Sequence, residues 1–178
     1  LNPRYEQGTD TKAPGPAAAA PTGGPALGEA SLRDAEARWA RFAPLLEKLF
    51  GELAESGGVI ESPLIEADRF RGLLADRYGV NVRGRLFVKH DADLAVAGSI
   101  KARGGIYAVL CFAEEVALRE GLIPASHGPR TPWTSLADAK AREVFSRYEL
   151  SVGSTGNLGM SIGIMGAALG FAVTVHMS

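Results

Sequence analysis

Residues 148–177 read YELSVGSTGNLGMSIGIMGAALGFAVTVHM, and this stretch decides the fold. Tyr148 to Val152 has the pattern of a short strand, Gly153 to Gly156 that of a polar glycine-rich turn. Asn157 to Leu169 reads as a helix and Phe171 to Met177 as a buried strand. Strand, loop, helix, strand is a βαβ unit, so an α/β fold is expected, with a parallel sheet covered on both faces. The loop leaves the carboxyl end of its strand and opens a helix. Its hydroxyls and amides therefore stand at a positive helix terminus, where α/β sheets bind anionic or polar groups. It is neither a Walker loop, because Leu158 stands five positions after Gly153 and no lysine follows, nor a dinucleotide fingerprint, because Gly153, Gly156 and Gly159 are spaced three apart. A plain βα turn capped by Ser154 or Thr155 remains the alternative.

Fifty residues earlier, Ser99-Ile100-Lys101-Ala102-Arg103-Gly104-Gly105 opens another helix. Glycine in a helix interior costs roughly 0.5–1 kcal/mol relative to alanine, so two of them beside a lysine point to something other than helix stability. Ser99 is the expected cap, Ile106, Val109, Leu110, Ala113 and Ala117 the core face, and Gly121 with Pro124 the stop.

Upstream, residues 8–28 hold Pro14, Pro16, Pro21 and Pro25 among alanines and glycines, a composition too poor in large apolar groups to repay ordering. Ser31 with Asp34 resembles a capping box for a helix. Its inward stripe is Leu32, Ala35, Trp39, Phe42, Leu46, Leu49 and Leu53, and it ends near Gly57-Gly58. Residues 68–78 predict a second helix with Phe70, Leu73, Leu74 and Tyr78 inward, stopped by Gly79. Residues 85–90 predict a strand, and a further helix starts near Ser135 with Leu136, Val144 and Phe145 as anchors. The expected organisation is an extended segment over 1–30, helices and a first strand over 31–98, and the start of a ligand-binding α/β region over 99–178.

The 178 residues carry 19 basic and 20 acidic side chains, a net charge of -1 that favours neither nucleic acid nor an anionic membrane. Cys111 is the single cysteine, which excludes an internal disulfide, fits a cytoplasmic location and suggests a buried small hydrophobe. No run of about 18 apolar residues suggests a membrane span. His90, His127 and His176 lack ligand spacing, so no metal is expected. Glu114-Glu115 reads as a wet helix face, Arg103 as a solvated or ion-paired arginine, and Trp39 and Trp133 as packing residues. The chain opens at Leu1 and closes just after a strand pattern, from which a piece of a longer protein is expected.

Taken together, the Ser99–Gly105 and Gly153–Asn157 runs resemble the fold-type II pyridoxal-phosphate enzymes, which include threonine and serine dehydratases, the tryptophan synthase β chain and cysteine synthase. The likeness is greatest to the bacterial D-serine dehydratase family. It extends through Arg41 to Pro44, Gly57 to Ser62, Ala97 to Tyr107, Val152 to Met165 and Val173 to Ser178. The resemblance implies a parallel-sheet architecture like that of the tryptophan synthase β chain, incomplete in this chain. It implies that Lys101 binds pyridoxal 5'-phosphate through a covalent imine and, once freed, takes the proton at Cα. It places Asn157 beside the 3'-oxygen of the pyridine ring, and Ser154, Thr155 and Gly156 on the substrate carboxylate. Relatives acting on L-threonine or L-serine commonly carry histidine after that asparagine, and Leu158 here favours the D branch.

The implied reaction is D-serine to pyruvate and ammonia, with D-threonine as a second candidate substrate. The family's phosphate loop and its partner to the pyridine nitrogen would lie after Ser178, so these residues alone are expected to be inactive. An L-serine or L-threonine dehydratase, a β-replacement synthase and a non-catalytic binding module of the same fold stay open as alternatives. Oligomeric state is not readable.

Overall fold

The computed structural model describes residues 28–81, 83–126, 128 and 131–177. The expectations for residues 1–27, for His127 and for Ser178 lie outside them. The first helix, α1, spans Glu29–Leu49 and starts at Gly28 with no side-chain cap. The amides of Ser31 and Leu32 both reach the Gly28 carbonyl, at 3.0 and 3.3 Å, which puts Ser31 inside the first turn and corrects its reading as the cap. Leu32 is also 71% exposed, whereas Phe42, Leu45 and Leu46 are fully buried. Periodicity names the apolar side of a helix but not the length over which a neighbour covers it. The helix ends well before Gly57-Gly58. Phe50 turns extended, and a short 3-10 turn follows over Gly51–Leu53. Gly58 then approaches the α1 backbone at φ 82, so closely that a Cβ would lie 1.9 Å from the Ala43 carbonyl oxygen.

Strand β1 (Leu64–Glu66) pairs antiparallel with β2 (Phe87–Lys89), Ile65 opposite Val88. Between them α2 spans Asp68–Tyr78 and is stopped by Gly79 in the left-handed conformation, as the sequence predicts. Its packing differs from expectation. Leu73 and Tyr78 are exposed, Phe70 is 52% exposed, and α2 holds no buried residue.

The core forms around α3 (Lys101–Arg119), whose Ile106, Val109, Leu110, Ala113 and Ala117 are buried as expected. Glu114 is buried with them at 6% exposure, a correction to the wet face read for Glu114-Glu115, since it falls four positions after Leu110 on the same stripe. Its carboxylate accepts from Arg38 Nε at 2.8 Å and from Arg41 Nε and Nη2 at 2.7 and 2.9 Å, tying α3 to α1. Burial opposes the Arg38 charge, yet its hydrogen bonds to Glu114 and Tyr107 hold its pKa above the ordinary value. Cys111 is half-buried on the same helix. A 3-10 turn (Trp133–Ala137) and α4 (Ala139–Phe145), separated at Asp138, replace the single helix expected from Ser135. Trp133 packs on Phe42 with ring centroids 4.9 Å apart, and Phe145 stacks on Phe171 at 4.6 Å.

The chain then runs β3 (Glu149–Gly153), α5 (Asn157–Leu169) and β4 (Ala172–His176), with β3 parallel to β4 and Gly153 opposite His176. This is the βαβ unit of the sequence reading. Helix α5 lies against the Leu150 and Val173 side of the pair, where Gly166 sits so close that a Cβ would lie 2.7 Å from Val173 Cγ2. The other side is polar. Thr174 Oγ1 donates to Glu149 at 2.6 Å, and Ser151 Oγ lies 3.0 Å from His176 Nε2. Among the described residues this second side is uncovered, in contrast to the expected two-sided cover.

Burial separates two tests of this packing. Phe145→Ala should lower unfolding free energy by about 3–5 kcal/mol, while Leu73→Ala should stay within about 0.5 kcal/mol, both read from urea midpoints. Equal losses would contradict the partition between the core and α2.

Candidate functional site

The two motifs of the sequence reading occupy the starts of two helices packed on each other, Lys101 as the first residue of α3 and Asn157 as the first of α5. The helices approach closely at Gly105, where a Cβ would meet Ser161 Oγ at 2.0 Å, Ser161 Cβ at 3.1 Å and Ile162 Cγ1 at 3.3 Å. Gly105 lies one turn after Lys101, and Ser161 one turn after Asn157. Each motif residue therefore starts about 6 Å of helix axis from a common crossing and on the stripe that faces it. Ser161 is fully buried, and its hydroxyl donates back to the Leu158 carbonyl at 2.9 Å, filling the space that glycine leaves. No pattern rule singles out the pair, although the glycine doublet was a signal of close approach.

The Gly153–Gly156 loop is shaped from within. Ser154 Oγ accepts the amides of Gly156 at 3.2 Å and Gly159 at 3.1 Å, and the Ser154 amide donates to the His176 carbonyl at 2.9 Å. A helix start leaves four amides without intrahelical partners, and Ser154 satisfies the first and last of them at α5. The Asn157 and Leu158 amides remain for a ligand. Thr155, Gly156 and Asn157 are exposed and, with Ser154, line a cavity of about 550 Å³ reaching Met160 and Val175. Such an array suits a carboxylate or an electron-rich oxygen. A larger cavity, about 660 Å³, lies between α1 and Trp133 and touches neither motif.

Lys101 is exposed, and its backbone amide donates to Ser99 Oγ at 3.1 Å, so Ser99 does serve the helix start. Arg103 reaches Glu61 at 3.9 Å, an exposed pair of the kind expected. Glu61 also binds Lys89, whose ammonium holds the Glu61 carboxyl below the usual carboxylate range. His90 Nδ1 pairs with Asp93 at 2.7 Å, and among the described residues no cluster of three metal-ligating side chains occurs. No described helix is long and apolar enough to cross a membrane.

Two features of the approach to Lys101 escaped the sequence reading. Val96 has φ 75, a conformation that costs a β-branched residue about 1–3 kcal/mol, and its amide donates to Glu52 Oε1 at 3.1 Å. Nothing in the local sequence signals either one.

A mixed α/β protein with an exposed lysine at the start of one helix and a glycine-rich loop with two open amides at the start of another packed on it is the class these elements define. No family model matches the chain. Among curated proteins, it is 53% identical over 152 residues to a "Probable D-serine dehydratase" of Pseudomonas aeruginosa (strain UCBPP-PA14), covering 85% of this chain and 33% of that protein. A protein of the same name from Chromobacterium violaceum is also 53% identical over 152 residues, with the same coverage. One from Fusobacterium nucleatum is 49% identical over 152 residues, 85% of this chain and 34% of that protein. The matched residues are similar to these proteins named probable D-serine dehydratase, and the chain spans about a third of their length.

Two substitutions check the geometry without any ligand. Gly105→Ala should destabilise by about 1–3 kcal/mol through overpacking, and Ser161→Ala in the same chain should recover part of that loss, measured by chemical denaturation. Strict additivity would remove the crossing from the account. Ser154→Ala should cost about 1 kcal/mol as a lost cap, with the first turn of α5 exchanging its amides faster.

Proposed function

We propose that this chain is part of a pyridoxal-phosphate lyase of fold type II that converts D-serine to pyruvate and ammonia. The observation that carries the reading is the identity of 49–53% to proteins named probable D-serine dehydratase over 85% of the chain. The geometry supports it independently, because Lys101 and the Ser154–Asn157 loop, remote in sequence, stand at the starts of two crossing helices. The residues fit pyridoxal 5'-phosphate: a primary amine, an amide side chain and a helix start with two amides to offer. When bound, the cofactor supplies an aldehyde for attachment to an amine and a ring that accepts the electron pair left at Cα.

The chain's own residues then have distinct tasks. Lys101 is the attachment point and, once released, the base that takes the Cα proton; as an ammonium it returns that proton to the β-hydroxyl, which leaves as water, and hydrolysis of the released enamine gives pyruvate and ammonia. The Thr155 hydroxyl and the open Asn157 and Leu158 amides hold the substrate carboxylate, while Ser154 and Gly156, bonded to each other, shape the loop that presents them. Asn157 donates to the ring's 3'-oxygen from the first position of α5. Leu158, directly after it, stands where relatives acting on L-threonine or L-serine commonly carry histidine, which supports the D branch over the L branch.

The test is pyruvate release by a full-length, cofactor-loaded protein carrying this chain, given D-serine and L-serine in parallel. A strong preference for the D form is expected. Turnover of L-serine alone would leave the cofactor reading and overturn the substrate. Lys101→Ala should lower turnover by about 10²–10⁴-fold with little change in stability, since the side chain is exposed. Borohydride reduction followed by peptide mass analysis should find the cofactor on Lys101. Label at another lysine would refute the assignment.

A further inference from the structure

Among the described residues Val96 is the one non-glycine residue at positive φ, and it stands five residues before Lys101. The Ala97 amide donates to the Ala95 carbonyl at 3.0 Å, so residues 95–97 form a γ-turn centred on Val96. The Gly98 amide closes a wider turn onto the Leu94 carbonyl at 2.8 Å. Leu94 and Ala97, on either side of Val96, are buried, so both arms of the turn are fixed in the core. A valine keeps this conformation only where its surroundings over-determine it. The remaining restraint is Glu52 Oε1, which accepts the Val96 amide at 3.1 Å from 44 residues earlier in the chain. The Glu52 backbone lies in the 3-10 turn that follows α1, next to the buried Leu53, and its exposed carboxylate reaches Val96 from there. A charged acceptor on a backbone amide makes a stronger bond than a neutral one.

We propose that Glu52 is a positioning residue for Lys101. Its carboxylate holds the Val96 amide, locks the 95–97 turn, and so fixes the direction in which Ser99 and Ile100 lead into α3 and present the lysine. The inference rests on the reading of Lys101 as the cofactor-binding amine. Glu52 has no place in either motif, and its side chain acts only through the backbone before α3.

The experiment uses the full-length protein with Glu52→Ala, Glu52→Gln and the double variant Glu52→Ala, Val96→Gly. Amide exchange across residues 94–102 is measured without cofactor. The visible spectrum and the kcat and KM for D-serine are measured with pyridoxal phosphate bound. Glu52→Ala should speed exchange at Val96 and Ala97, shift the spectrum and lower kcat on the order of tenfold to a hundredfold, with KM nearly unchanged. Glu52→Gln, which keeps an acceptor oxygen, should recover most of the loss. In the double variant glycine adopts φ 75 without strain, so kcat should rise above that of Glu52→Ala. Unchanged exchange and spectrum in Glu52→Ala would overturn the proposal, as would a uniform rise in exchange over the whole chain. A wild-type protein that takes up no pyridoxal phosphate would instead defeat the reading of Lys101. The exchange data report on the Glu52 tie separately from that reading.

Discussion

The approach of α3 to α5 at Gly105 and Ser161 is the constraint on which the site depends. Backbone at one position and a serine at the other allow the helices to lie closer than two ordinary side chains would, and the serine hydroxyl finds its partner on its own helix. The contact lies one turn from both motifs, so any change in helix separation is passed directly to Lys101 and Asn157. A larger residue at either position would move the two groups apart even if both remained on well-formed helices.

Helix α3 is held from its other side by charge. The Glu114 carboxylate, buried in the core, is shared by Arg38 and Arg41, and Arg38 also reaches the Tyr107 hydroxyl at 2.6 Å. Such a network contributes little net stability compared with a hydrophobic replacement, but removing one member leaves the others buried and unpaired. It accepts only one register of α1 against α3, whereas a purely apolar contact could slide. Burial pushes the Tyr107 hydroxyl above its usual pKa, so it remains a neutral donor and acceptor near neutrality.

Elements with strong local signals were legible in the sequence. The spans of α2 and α5 follow from glycines at their ends, the core face of α3 from its apolar spacing, and the parallel pair from the strand–loop–helix–strand order. What failed depended on partners remote in the chain. Phe70 and Leu73 form an apolar face, but composition could not tell that this chain leaves it uncovered. Glu114 looked like a surface charge until Arg38 and Arg41 were placed beside it. Strand β1, three residues long and directly after Pro63, had too short a pattern to recognise, and the strained Val96 is tied to Glu52, 44 residues earlier in the chain. The two site motifs were readable because their chemistry is concentrated in short runs.

The stretch from Leu64 to Lys89 has a consequence for the handling of this polypeptide. Leu64, Phe70, Leu73, Tyr78 and Val80 all face solvent beside a two-stranded ribbon, and among the described residues both outer edges of that ribbon are unpaired. Open strand edges next to bare apolar side chains are templates for self-association. In dilute buffer the 178-residue chain should be limited by colloidal behaviour sooner than by the strength of its core. Its shelf life would then be governed by concentration and ionic strength, and charged substitutions on α2 would extend it without touching the helices that carry Lys101 and Asn157.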